Sequence, residues 1–196
     1  MNARLDPRRT SVQYAVRKPL LEGAASIVGF DVPGNPHADL HGSIDAIPFE
    51  DGSFDVVLCL QVLEHVPDPA AAVRELRRVV KPGGRVLLST HGVYPFHPNP
   101  DDFWRWTHDG LAHLFRTNAE WTSVTVRPGA GTAATVAMLV AHTIDLLCKR
   151  ARMRVLGAPF VAALNAGGEA LDRAVPLLRE PVPGSLNANY HVEAVA

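Results

Sequence analysis

The densest set of groups able to do chemistry lies between His91 and Trp106, in the stretch HGVYPFHPNPDDFWRW. Histidine titrates near neutral pH, so His91 or His97 can take a proton from a hydroxyl nucleophile. Tyr94, Phe96 and Trp104 can form an apolar wall, and Arg105 can hold an anionic group through its planar fork. The same residues also suit a proline-stiffened lid whose aromatic rings pack on the core. His37, Asp39 and His41 have metal-ligand spacing, as have His91 and His97. No cysteine or HExxH pattern accompanies them, so no metal centre is expected.

Those groups need a frame, and the chain supplies one just upstream. Phe54 to Thr90 reads FDVVLCLQVLEHVPDPAAAVRELRRVVKPGGRVLLST, a strand, a helix and a second strand. Phe54–Leu60 is a near-continuous apolar run, as expected of a central parallel strand covered on both faces. Asp68 can cap the helix and Pro69 suits its first position. Val73, Leu76, Val79 and Val80 recur at helical spacing, so one face is buried. Pro82-Gly83-Gly84 stops the helix and turns the chain into the strand Arg85–Thr90. The crossover between the two strands should be right-handed.

Around this unit the reading is plainer. Residues 1–16 are polar and irregular, and Arg17–Ala25 can form a short helix. Ser26–Asp31 reads as a buried strand ending in a carboxylate, followed by a loop dense in Pro, Gly and Asn. Thr107 can cap a helix carrying Leu111, Leu114 and Phe115, and Trp121–Arg127 reads as a strand. Residues 131–180 form a helical cap over the sheet, with a break at Gly157-Ala158-Pro159. Asn187–Val195 is a last strand at or near an edge.

Bulk properties narrow the class. A chain of 196 residues, 47% hydrophobic, suits one globular domain over residues 1–196. A formal net charge of -1 gives no pull toward nucleic acid. Cys59 and Cys148 lie far apart in apolar surroundings and read as free thiols in a reducing, cytoplasmic setting. The start MNARLDPRRT has no following apolar run and is not a secretory signal. Ala133–Cys148 is apolar but carries His142, Thr143 and Asp145, so it reads as a buried or interfacial helix short for a membrane span. Lys149, Arg150, Arg152 and Arg154 follow it. That combination suits a membrane surface or a lipid-linked substrate, and the helix's own dipole explains the same residues equally well.

Several segments resemble class I S-adenosylmethionine-dependent methyltransferases of the type 11 group. The carriers are VGFD ending at Asp31, Ala46-Ile47-Pro48-Phe49 with GSFDVV, the strand end Leu60-Gln61 with Glu64-His65, the KPGG turn at Lys81–Gly84, and the ending NYHVEAVA. The resemblance implies an α/β fold with a Rossmann-like, mostly parallel sheet, flanking helices and a closing antiparallel strand. It implies S-adenosyl-L-methionine as cofactor. Asp31, with Val32 beside it, would meet the ribose hydroxyls. Ser43 and Ile44 would face adenine, and Leu60, Gln61 and His65 would line the methionine side. The loop at His91–Trp106 would then face the acceptor, its aromatics favouring the sulfonium by cation–π attraction.

Two departures stand out. The family's first strand and glycine-rich loop are missing: Ser11–Val16 holds no glycine where the backbone should approach the cofactor closely. Arg17–Leu21 resembles the tail of the segment that follows that loop, so the chain is expected to start inside the ancestral domain, with residues 1–16 replacing the lost strand. Where the family often has an acid after Gly42, this chain has Ser43.

The resemblance implies methyl transfer to a small-molecule acceptor. The alternative is a truncated, non-catalytic domain acting as a binding or interaction module. A nicotinamide-dependent oxidoreductase ranks last, since no GxGxxG is present.

Overall fold

The computed structural model describes residues 24–98, 101–151 and 154–196, with side chains in the last stretch from residue 157. The expectations for residues 1–16, and for all but the end of the helix over 17–25, lie outside the described residues.

Two short strands come first. β1 (Phe30–Asp31) pairs in parallel with β2 (Leu40–His41) as a separate two-stranded sheet. A longer, buried strand was expected over Ser26–Asp31, but Val28 is exposed and only the last two residues pair. The returning loop satisfies the backbone there instead. The Gly29 carbonyl accepts from the N–H groups of Asp39 and Leu40, and the Gly29 N–H donates to the Asp39 carboxylate at 2.8 Å.

The main sheet holds β3 (Phe54–Leu60), β4 (Val80–His91), β5 (Ser123–Pro128) and β6 (Asn189–Val195), in the order β3-β4-β6-β5. β3 runs parallel to β4, and β6 runs against both β4 and β5. Three strands therefore share one direction and the closing strand opposes them, as the resemblance implied.

β6 lies near an edge, as expected: it is one strand in, paired with β4 over Asn189–Val195 and with the edge strand β5 over Tyr190–Val195. Its alternation of buried Tyr190, Val192 and Ala194 with polar His191 and Glu193 reflects one open sheet face. One expectation about this sheet is corrected: β3 is not a covered central strand. Among the described residues it pairs only with β4, and Val56 on its outer face is exposed.

The covered face is built by two helices. α1 (Pro69–Val79) starts with Pro69 in its first turn, and the Asp68 carboxylate accepts from the Ala71 N–H at 2.9 Å. Ala72, Val73, Leu76 and Val79 line its buried stripe. α2 (His108–Asn118) is capped by Thr107, whose hydroxyl accepts from the Gly110 N–H at 3.1 Å, and buries Leu111 and Phe115. Each fully buried side chain of this size contributes about 1.5–3 kcal/mol. Between α1 and the body of β4, residues 81–84 bulge out: Phe54 faces Val80, but Val56 faces Arg85. Gly83 takes φ 77°, and a Cβ on Gly84 would meet the Asp55 carbonyl oxygen at 2.7 Å. That is why the turn needs both glycines.

α3 (Thr132–Arg150) and α4 (Arg154–Ala174) follow, and they pack chiefly on each other as a hairpin. The hairpin's root is tied to the approach to β6: Thr132 Oγ1 accepts from the Leu186 N–H at 3.0 Å, and Thr135 Oγ1 from the Ala188 N–H at 2.9 Å. The break expected at Gly157–Pro159 falls before Arg154, and Pro159 sits inside α4. It is close enough to the helix start that its missing N–H removes only an early rung. α3 is long and apolar enough to cross a membrane by length and composition, and few of its residues are buried, with Leu146 and Leu147 exposed.

Candidate active site

The site gathers at the carboxyl ends of β3 and β4. Gln61, the residue after β3, has φ 56°, the one positive value on a non-glycine residue among those described. A left-handed residue there costs about 1–2 kcal/mol, so its surroundings must hold it. The Gln61 N–H donates to the Ser89 carbonyl at 2.8 Å, and its amide nitrogen to Ser89 Oγ at 3.1 Å. Its Oε1 is buried and has no partner among the described residues.

The turn Leu63–His65 follows. Glu64 is wholly buried. Its Oε2 accepts from Thr90 Oγ1 at 2.8 Å, and its main-chain carbonyl accepts from the N–H groups of Phe103 and Trp104. Oε1 makes no hydrogen bond, although His91 Nε2 lies 3.3 Å from it. His65 Nδ1 is hydrogen-bonded to the Asp101 carbonyl.

His91 ends β4 and is buried. Its ring stacks on Tyr94 with centroids 3.9 Å apart, and its Nε2 lies 3.3 Å from His97 Nε2. Burial first, then the nearby positive charge of His97, Arg105 and His65, pushes the His91 pKa down to about 4. His91 is therefore neutral at physiological pH and a weak base.

The loop over these groups is held by Asp102 and Arg105. Arg105 Nη1 and Nη2 donate to the two Asp102 oxygens at 2.5 and 2.7 Å, and Asp102 also accepts from the His97 N–H. The Arg105 hydrogen bonds hold the Asp102 carboxyl well below the usual carboxylate range. Arg105 gives its remaining donors to the carbonyls of Tyr94, Pro95 and Trp104. The anion-binding role expected of Arg105 therefore meets a guanidinium already engaged inside the loop. Trp104 donates its indole N–H to the Val66 carbonyl at 2.8 Å and stacks on Trp106. It frames the loop.

His65, His91, His97 and Tyr94 thus converge at one place. Asp31, Val32, Ser43 and Ile44 lie apart from them, on and just after the two-stranded sheet. The Asp31 carboxylate accepts from the Val32 N–H at 2.7 Å and from the Asn35 amide at 2.5 Å. Val32 is exposed and Ile44 packs on the core. Leu60 and Ser89 open onto a groove of about 550 Å³ on the uncovered sheet face, with Thr125, Arg127, His191 and Glu193 on its far side. Sequence reasoning missed Asp102, and its only signal was the three-residue spacing to Arg105. The groove had no signal, because its polar lining comes from strands distant in sequence.

Residues 16–88 match the model of the methyltransferase domain family. The ubiquinone biosynthesis O-methyltransferase of Xanthomonas oryzae pv. oryzae is 40% identical over 91 residues, 45% of this chain and 36% of that protein. The enzyme of the same name from Pseudomonas paraeruginosa is 67% identical over 39 residues, 20% of this chain and 17% of that protein. The matched region thus spans well under half the length of these relatives. Among solved structures, Haemonchus contortus phosphoethanolamine N-methyltransferase 2, in complex with phosphomonomethylethanolamine and S-adenosylhomocysteine, aligns with a TM-score of 0.45 at 15% identity, over 80% of this chain and 36% of that one. The YcgJ protein of Bacillus subtilis aligns with a TM-score of 0.41 at 18% identity, over 95% of this chain and 79% of that one.

Proposed function

We propose that this protein transfers a methyl group from S-adenosylmethionine to an oxygen of a small-molecule acceptor. The observation that carries the proposal is Gln61. It lies in the family-matched region, at a strand's carboxyl end, strained and with a buried amide oxygen lacking a partner. Strain of this kind collects at ligand sites, and carboxyl strand ends are where open α/β sheets bind ligands. The relatives' name supports oxygen as the acceptor atom.

The residues fit the cofactor. Asp31 uses one hydrogen bond on each oxygen, which leaves lone pairs for the two ribose hydroxyls. Val32, Ser43 and Ile44 would border ribose and adenine. Leu60, Gln61 and His65 would line the methionine side, with Gln61 Oε1 accepting a hydrogen bond. The bound cofactor supplies a methyl already activated by its sulfonium. The protein's share is to align the acceptor and exclude water. His97, less buried than His91, would take the acceptor's proton. Tyr94 and Trp104 would wall the site, and Arg105 would keep the loop in place. The free thiols Cys59 and Cys148 suit a cytoplasmic enzyme.

A more specific acceptor is favoured by the exposed apolar residues of the α3–α4 hairpin, among them Leu147, Phe160 and Leu171. They suit a substrate with an apolar tail, taken from a membrane surface.

Calorimetric titration with S-adenosylhomocysteine tests the core proposal. Micromolar binding that Asp31→Ala abolishes supports it. An absence of heat overturns it in favour of a non-catalytic binding module.

A further inference from the structure

We infer that Glu64, His65, His91 and His97 form a binding site for a zinc-class divalent cation. The groups come from three places: the turn after β3, the end of β4 and the loop beyond it. His91 Nε2 stands 3.3 Å from Glu64 Oε1 and 3.3 Å from His97 Nε2, and His65 Nε2 stands 4.0 Å from Glu64 Oε1. One donor atom each from Glu64, His65 and His97 falls within 4.8 Å of the others. Zinc bonds of about 2.0–2.1 Å in a tetrahedron place neighbouring donors about 3.3 Å apart. Two of these spacings already have that value.

Burial makes the same point independently. Glu64 is 0% exposed, and Oε1 has no hydrogen bond. An ionised carboxylate in that position costs several kcal/mol unless a cation meets it. Among the described residues no lysine or arginine forms an ion pair with it; its ion-pair contacts are His65 and His91, and the charge of Arg105 acts on it from further off, already engaged by Asp102. The two Nε2 atoms of His91 and His97 face each other, and neutral rings can share at most one proton there. A cation between them satisfies both lone pairs together with Oε1. His65 has the outer support typical of a ligand, since its Nδ1 is held by the Asp101 carbonyl and its Nε2 is left free to bind.

The donor set selects the ion. Three imidazoles and one carboxylate suit zinc, cobalt or nickel, whereas magnesium and calcium favour oxygen throughout. Four protein donors also fill a tetrahedral shell, as in sites that hold structure. The bound ion would pin the His97 loop against the ends of β3 and β4, and it would occupy the His97 lone pair that proton transfer uses, so the metal-bound and the methyl-transfer roles belong to different states of the site. The inference does not rest on methyl transfer, because the site needs no methyl donor to form.

The test uses the full chain, freed of metal by chelation and titrated with Co²⁺. The expected result is one equivalent bound, with the visible absorption of four-coordinate cobalt, displaced by Zn²⁺ and not by excess Mg²⁺. His97→Ala, on the loop, should weaken binding by on the order of tenfold or more. Glu64→Gln keeps the shape and the Thr90 contact and should do the same. No band at stoichiometric cobalt, or a band that survives unchanged in both folded variants, overturns the inference. A parallel S-adenosylhomocysteine titration on the metal-free sample reads the methyl-transfer proposal separately, so either can fail alone.

Discussion

Arg105 grips Asp102 through two parallel hydrogen bonds, 2.5 and 2.7 Å long, with the acid side chain 1% exposed and the guanidinium 29% exposed. The pair closes a loop with no regular secondary structure among its described residues. Its bidentate form fixes direction as well as distance. Removing the arginine leaves a buried acid with one backbone partner, the His97 N–H. Arg105→Ala should therefore destabilise the protein by about 2–4 kcal/mol, read from urea midpoints. Arg105→Lys should recover only part of that loss, because an ammonium cannot reproduce the fork. Full recovery by lysine would show that charge alone matters.

The pH dependence of stability should carry the mark of His91. Its folded pKa is about 4, below the ordinary value of about 6.5 expected in the unfolded chain. Between those values the unfolded chain binds a proton that the folded protein excludes. Stability should therefore fall as pH drops from about 6.5 toward about 4, by up to roughly 3 kcal/mol, and this contribution should level off below. Asp102 acts in a lower window. Its lowered pKa gives stability that is present above the ordinary aspartate range and lost as pH falls through the depressed value. Urea midpoints measured in chelator between pH 8 and pH 4 test this. His91→Gln should flatten the upper part of the curve, and an unchanged curve would remove His91 as its source.

Gln61 separates backbone strain from side-chain function. At φ 56° glycine is favoured over any residue with a Cβ. Gln61→Gly should be more stable than Gln61→Ala by about 1 kcal/mol, since both lose the Ser89 contact and only one keeps the strain. Both variants should weaken S-adenosylhomocysteine binding alike in calorimetry. If alanine proves as stable as glycine, the left-handed turn is not a source of strain.

The strand–helix–strand unit was legible because its signals are local. Asp68, Pro69 and Gly83 each dictate the backbone within a few residues, and the structure uses all of them in that way. Thr107 was legible as a helix cap for the same reason. The place of β6 was legible only as at or near an edge, because an alternating strand looks the same at an edge and beside an open face. The convergence of His65, His91 and His97 was only half legible. His91 and His97 are near in sequence, but His65 reaches them across the pairing of β3 with β4. The buried state of Glu64 was hidden too, since nothing in LEHV says that the acid points inward.

The hairpin root offers a further case of distant residues meeting, between Gly131 and Asp172. The Asp172 carboxylate comes from α4, is nearly buried, and accepts from the N–H groups of Ala133 and Ala134 at 2.9 and 3.1 Å. It thus caps α3, whose own cap residue Gly131 has no side chain to do so. A Cβ on Gly131 would lie 2.4 Å from the Asp172 carboxyl carbon. The glycine is there to admit the carboxylate. Asp172→Ala should cost about 1–2 kcal/mol by loss of the cap, and Gly131→Ala a similar amount by displacing it. The double variant should cost clearly less than the sum, because once the carboxylate is gone the methyl group has room. Thermal melts of the four proteins close this cycle. Simple additivity would mean that the two residues do not act on each other.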